Sequence, residues 1–150
     1  MIDKMTTEKI IGCFESVSFP ELAIYNTVAK IDTGAFSGAL HCTNIRVVKR
    51  GADKKRILKF NPLDDPTLAY ETDKFDAKYV RSSTGHRLRR YVITTKMTIC
   101  DEEYELKIGL SDRTDMKREV LVGRRFLREN GILVDVRKHS ELDDEGESTQ

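Results

Sequence analysis

Tryptophan is missing from this chain of 150 residues, and aromatics together make up only 7% of it. A nucleic-acid surface needs aromatic platforms or a contiguous basic stripe interleaved with them, so nucleic acid is not an expected partner. Cysteine is scarce as well: Cys13, Cys42 and Cys100 are odd in number and far apart. That pattern argues against a disulfide framework and for a reducing, cytoplasmic setting. No apolar run approaches the ~20 residues of a membrane span. The start, Met1-Ile2-Asp3-Lys4, lacks the basic head and apolar core of a secretory signal. His41, Cys42, His86, Cys100 and His139 form neither H-E-x-x-H nor C-x-x-C spacing, so no metal is expected. His41 and Cys42 are neighbours, which on a strand face opposite sides. Cys42 has no nucleophile motif around it and reads as a small buried hydrophobe. A Gly-rich phosphate loop is also absent, and no cofactor is expected.

What remains is an ordinary soluble composition, 39% hydrophobic and 34% charged. The length suits one compact domain that folds without staples. Residues 1–9 read as a flexible start, 10–138 as the domain, and 139–150 as an acidic, disordered tail. The tail holds Glu141, Asp143, Asp144, Glu145 and Glu147 and no lysine or arginine. Subtracting those five acids from a net charge of +1 leaves a body near +6, a field that attracts anionic substrates. Along the body, β-branched and aromatic runs predict strands at 10–17, 22–31, 41–48 and 56–60. Residues 61–76 carry Pro62, Pro66 and several acids and read as a loop. Two hairpins follow, one turning at 82–86 and one at Asp101-Glu102. A short strand at 119–122, a helix over 124–130 capped by Gly131, and a strand at 132–136 complete the pattern. Many short strands and one late helix predict a mostly-β, barrel-like domain.

Two motifs carry chemistry. Lys30-Ile31-Asp32-Thr33-Gly34-Ala35 follows an apolar strand; Leu121-Val122-Gly123-Arg124 opens the helix. Alone, each is a common strand-end turn. As an ordered pair with hairpins between them they resemble the retropepsin-like aspartic proteases. Ser37, Ala39, Leu40 and His41, then Val80-Arg81-Ser82-Ser83, Leu110-Ser111-Asp112-Arg113 and Met116 extend the likeness. They point to one bacterial and archaeal branch, which carries the label ATP-dependent zinc protease and is linked to ATP-grasp ligases of the ribosomal-protein S6 glutamylation type. The resemblance covers roughly residues 10–138. It departs at Phe36, where a small polar or basic residue is usual.

The resemblance implies a closed retropepsin-like barrel with one C-terminal helix and an aspartic peptidase activity on peptide or isopeptide bonds. It makes Asp32, Thr33 and Gly34 catalytic, with Thr33 bonding across a dimer axis. Ala35 and the flap residues Ser82, Ser83, Thr84 and Gly85 would contact substrate. Gly123 and Arg124 would support the aspartate loop. An ATP-grasp ligase would be a functional partner. The chemistry needs two carboxylates close together, so that one ionises and the other keeps its proton. One Asp-Thr-Gly per chain means the second comes from another copy in a homodimer. Ala35 brings no hydroxyl to the carboxylate, so the dyad should titrate higher than one with such a donor. Arg87, Arg89, Arg90, Lys117 and Arg118 hint at glutamate-rich substrates. Asp112-Arg113 reads as a loop ion pair. A non-catalytic dimeric peptide-binding module on the same fold is the alternative, since fold does not dictate activity. A pure binder would have no need of Asp32 and Thr33.

Overall fold

Short β-branched runs make most of this chain strand, and a computed structural model describes residues 9–81, 84–114 and 117–143. In order they are β1 (Lys9–Gly12), β2 (Phe14–Phe19), β3 (Ile24–Asp32), β4 (Gly38–Arg50), β5 (Lys55–Pro62) and β6 (Tyr70–Thr72). Then come β7 (Asp76–Arg81), β8 (Arg87–Ile99), β9 (Glu102–Ser111), β10 (Val120–Gly123), α1 (Arg124–Glu129) and β11 (Ile132–Asp135). Two 3₁₀ turns, Pro20–Leu22 and Ser140–Leu142, connect or follow them.

The order β10-β3-β2-β8-β9-β4 closes on itself because β10 pairs with both β3 and β4. The result is a closed six-stranded barrel with one α-helix among the described residues, in line with the mostly-β closed barrel and single late helix expected from the sequence. Alternate side chains fill its interior, among them Phe19, Leu40, Met97, Ile108 and Val122, all essentially inaccessible. β5 and β6 extend the sheet beyond β4, and β7 lies on the outer edge of β8.

Three differences from the sequence reading have local causes. The strand expected over 10–17 breaks at Cys13, whose N–H donates to the Lys138 carbonyl at 3.2 Å. β1 therefore leaves the barrel and pairs in parallel with β11. Gly12 permits this crossing, since a Cβ there would sit 2.5 Å from the Lys138 carbonyl oxygen. The strand expected from residue 22 starts at Ile24, because Pro20–Leu22 is a 3₁₀ turn ending on left-handed Ala23. Residues 61–76 are not loop throughout. Asn61 and Pro62 continue β5, and Tyr70–Thr72 pairs with its Leu58–Phe60 stretch. Three residues are too few for alternation to be read, and the ring contact of Phe60 with Tyr70 at 5.2 Å holds them. Described structure also runs through the Ser140–Leu142 turn to Asp143, inside the stretch read as tail.

Candidate functional site

Asp32 is the last residue of β3, in register with Gly123, the last of the parallel neighbour β10. Beyond it the chain turns: the Ala35 N–H donates to the Asp32 carbonyl at 3.2 Å, and the Gly34 N–H donates to Asp32 Oδ1 at 3.0 Å. The start of α1 clamps that turn from behind. The Arg124 N–H donates to the Ala35 carbonyl (2.8 Å) and the Arg125 N–H to the Phe36 carbonyl (3.0 Å). The Arg124 guanidinium reaches the Gly34 carbonyl at 3.0 Å. Gly123 has to be glycine: a Cβ would lie 2.6 Å from the Phe36 carbonyl oxygen and 2.7 Å from the Ser37 carbonyl carbon. The carboxylate is thus held rigidly by backbone, while Thr33 and Gly34 face solvent and Phe36 keeps 47% of its surface exposed. Arg124 and Arg125 flank the Phe36 ring, 5.5 and 5.9 Å from its centroid.

Beside this loop, α1, β8 and β9 enclose a cavity of about 210 Å³, floored by Gly38 and Gly109. Lys78, Arg90, Lys107 and Arg125 border it, with Glu105 and Glu129. Arg125 is paired with Glu129 at 3.1 Å and Lys107 lies 3.9 Å from Asp76. Lys78 and Arg90 are register partners on β7 and β8, hence on one face. Of the cations read together in the sequence, Arg87 and Arg89 go elsewhere. They alternate to the opposite face of β8, where Arg87 lies over the Tyr79 ring (4.2 Å) and Arg89 donates to its hydroxyl (3.2 Å). Lys117 and Arg118 sit on the loop before β10.

Arg113 is the residue the sequence reading misjudged. It and Asp112 take other partners in place of the expected ion pair. Asp112 accepts from the Thr114 N–H (3.0 Å) and hydroxyl, and these bonds hold its carboxyl below the usual range. The Arg113 N–H donates to Nδ1 of buried His41 (2.8 Å), and its Nε donates to the Arg118 carbonyl (3.0 Å). Partial burial pulls the Arg113 guanidinium down, the charge of Arg90 adds to that, and the charge of Asp32 opposes it. An arginine stays protonated through such shifts, so Arg113 is a partly desolvated cation. Nothing local signalled this, because His41 is 72 positions away in the chain.

At the flap, Ser82 and Ser83 lie outside the described residues. Thr84 and Gly85 are at the exposed tip, where Gly85 takes φ +87°. The cysteines and histidines are spread apart. Cys42 is fully buried and its thiol is pushed far above the ordinary range by desolvation. Cys100 and His139 both approach buried Glu15, at 3.5 Å each. Among the described residues no three such side chains converge to hold a metal ion, and no helix is long and apolar enough to cross a membrane.

Comparison with known proteins agrees with this geometry. Residues 10–144 match the family described as RimB-like, retropepsin-like aspartic endopeptidase RimB. A protein of Shewanella pealeana named probable alpha-L-glutamate ligase is 30% identical over 129 residues, taking in 84% of this chain and 28% of the relative. Another of that name, from Parasynechococcus marenigrum, is 29% identical over 145 residues, 93% of this chain and 30% of its own length. The chain therefore spans less than a third of these curated relatives. A crystal structure of a Legionella pneumophila protein of unknown function matches with a TM-score of 0.64 at 23% identity, covering 87% of this chain and 95% of that one. At that identity the likeness concerns the fold alone.

Proposed function

The chain belongs to the RimB-like family of retropepsin-like aspartic endopeptidases, and from that premise we propose that it is an aspartic peptidase whose active site forms when Asp32 of two copies meet across a two-fold axis. The observation that carries this is the pose of Asp32: clamped by α1 and Gly123 from behind, on a loop whose Thr33, Gly34 and Phe36 are exposed in the single chain. Such a loop is built to meet something. A second copy brings a second carboxylate to about 3 Å, and like charges that close share one proton.

The ionised member takes a proton from water as the oxygen adds to the scissile carbonyl carbon. The protonated member donates to the carbonyl oxygen. Collapse of the tetrahedral adduct breaks the C–N bond, and a dyad proton goes to the leaving nitrogen. The Gly34 N–H, 3.0 Å from Oδ1, orients the carboxylate, and Thr33 bonds across the axis. Ala35 and the flap tip of Ser82, Ser83, Thr84 and Gly85 contact the peptide. The two titrations belong to the pair.

The substrate we propose is an acidic, glutamate-rich peptide or isopeptide. Lys78 and Arg90 supply cations at the cavity beside the Asp32 loop, and Arg113 follows Ser111 and Asp112 at the end of β9 as a further cation. Relatives named glutamate ligases contain a stretch similar to this chain, which supports work beside an ATP-grasp ligase in the cytoplasm. The test is peptide hydrolysis by the wild-type chain and by Asp32→Asn, read by mass spectrometry with (Glu)₆-containing and neutral peptides. The wild type should cleave the acidic set preferentially and Asp32→Asn should cleave neither. Cleavage surviving in Asp32→Asn sinks the mechanism; preference for neutral peptides sinks the substrate class.

A further inference from the structure

We infer that Lys30 selects the substrate: its ammonium receives the side-chain carboxylate of a residue next to the scissile bond, so that an acidic residue is preferred on each side of that bond. The inference deepens the aspartic-peptidase reading above and rests on it.

The first support is register. Ala29 and Ile31 of β3 are buried in the barrel, so Lys30 and Asp32 take the opposite face, where both stay partly exposed. Two residues of strand set Lys30 about 7 Å behind the carboxylate-bearing residue. Its register partners are Leu121 on β10 and Phe14 on β2, which share its face. Leu121 is partly exposed between buried Val120 and Val122. Phe14 is buried, with the Arg118 guanidinium 4.6 Å from its ring centroid. Lys30 thus stands between two apolar side chains, on the strand face that carries Asp32.

The second support is charge. Among the described residues the Lys30 ammonium takes no ion pair and no hydrogen bond. Two acids stand near it in the register: Asp32 itself, and Glu119, two residues before Leu121. Neither pairs with it, and Asp32 Oδ1 is taken by the Gly34 N–H. The ammonium is therefore left for an incoming carboxylate, and a charge-assisted bond of that kind is roughly twice as strong as a neutral one. The two-fold axis of the proposed dimer adds a third support. It repeats Lys30 on the far side of the dyad, one ammonium for each residue flanking the scissile bond. An extended peptide sends those two side chains to opposite sides of its backbone, as the axis sends the two lysines to opposite sides of the dyad.

Hydrolysis of paired peptides tests this, one fixed sequence carrying glutamate or glutamine on both sides of the cleaved bond. Mass spectrometry gives the ratio of kcat/KM for the two peptides in the wild type, Lys30→Gln and Lys30→Arg. The wild type should prefer the glutamate peptide. Lys30→Gln should lower the ratio about ten-fold or more, and Lys30→Arg should recover part of it. Fluorescence anisotropy of a labelled hexaglutamate peptide reads binding without turnover, on chains that also carry Asp32→Asn. There Lys30→Gln should weaken binding about ten-fold at about 20 mM salt, and by less at about 500 mM. An unchanged ratio in Lys30→Gln overturns the inference and leaves the peptidase reading standing. An equal loss on both peptides makes Lys30 merely structural and overturns it too. Hydrolysis by no chain overturns the peptidase reading, and hexaglutamate binding then decides the contact. Weaker binding in Lys30→Gln keeps Lys30 as the carboxylate's partner; equal binding overturns the inference as well.

Discussion

At the scale of single residues, Arg113 and Gly123 have contrasting duties. Arg113 is held at its backbone N–H by His41 Nδ1 and at its side-chain Nε by the Arg118 carbonyl, and in the proposed reading its guanidinium meets the acidic substrate. Charge-assisted bonds of that kind contribute about 1.5–3 kcal/mol. Arg113→Gln should therefore raise KM for acidic peptides about ten-fold or more, with little change for neutral ones. Steady-state kinetics on the two sets would measure the split, and Arg113→Lys should recover part of the loss. Gly123 serves through its missing side chain. Gly123→Ala would drive a Cβ into backbone of residues 36 and 37, atoms that α1 holds in place. Overpacking of this sort costs about 1–3 kcal/mol. Thermal melting should show Tm falling by several degrees, and peptide binding should fall with it.

Among elements, the pairing of β1 with β11 is the feature least visible from the chain itself, and Glu15 is its fastening. This buried carboxylate on β2 accepts the Gly12 N–H at 2.6 Å and the Cys100 thiol at 3.5 Å, and lies 3.5 Å from His139 Nε2. It links β2 to the turn between β8 and β9 and to the segment after β11. Glu15→Ala leaves the Gly12 N–H without that acceptor in a buried site, a loss of about 1–3 kcal/mol. Urea denaturation should show the midpoint shift, with Glu15→Gln shifting it less because the amide oxygen still accepts. Alternation on β8 is a second element-scale fact. Arg87 and Arg89 stack on Tyr79 while Arg90 enters the cleft. Arg89→Ala should therefore affect acidic-peptide affinity less than Arg90→Ala, and anisotropy with the same hexaglutamate probe would rank them.

For the molecule as a whole, closure of the barrel through β10 brings Asp32 and Gly123 side by side, and that single pairing assembles the candidate site. A shared dyad makes activity depend on association. Specific activity should fall on dilution below the dimer dissociation constant, and light scattering should report twice the 17.2 kDa chain mass under active conditions. A monomer that retains full activity at every dilution would exclude a dyad built from two copies. Phe36, 47% exposed beside the aspartate loop, belongs in the face that such an association would cover.

Period-two runs of β-branched residues predict most strands, and the family resemblance carried by Asp32-Thr33-Gly34 and Gly123-Arg124 implies which loop and helix meet. The first signal is local, because strand alternation is written in neighbouring residues; the second comes from the resemblance and from no short stretch of this chain. Only the tertiary structure decided that β1 leaves the barrel at Cys13, that Arg90 but not Arg87 or Arg89 faces the cleft, and that the Arg113 backbone N–H is taken by His41. Each of these depends on register or on a hydrogen bond between residues dozens of positions apart. Such partners are chosen by how the whole barrel closes, and no short stretch of chain contains that information.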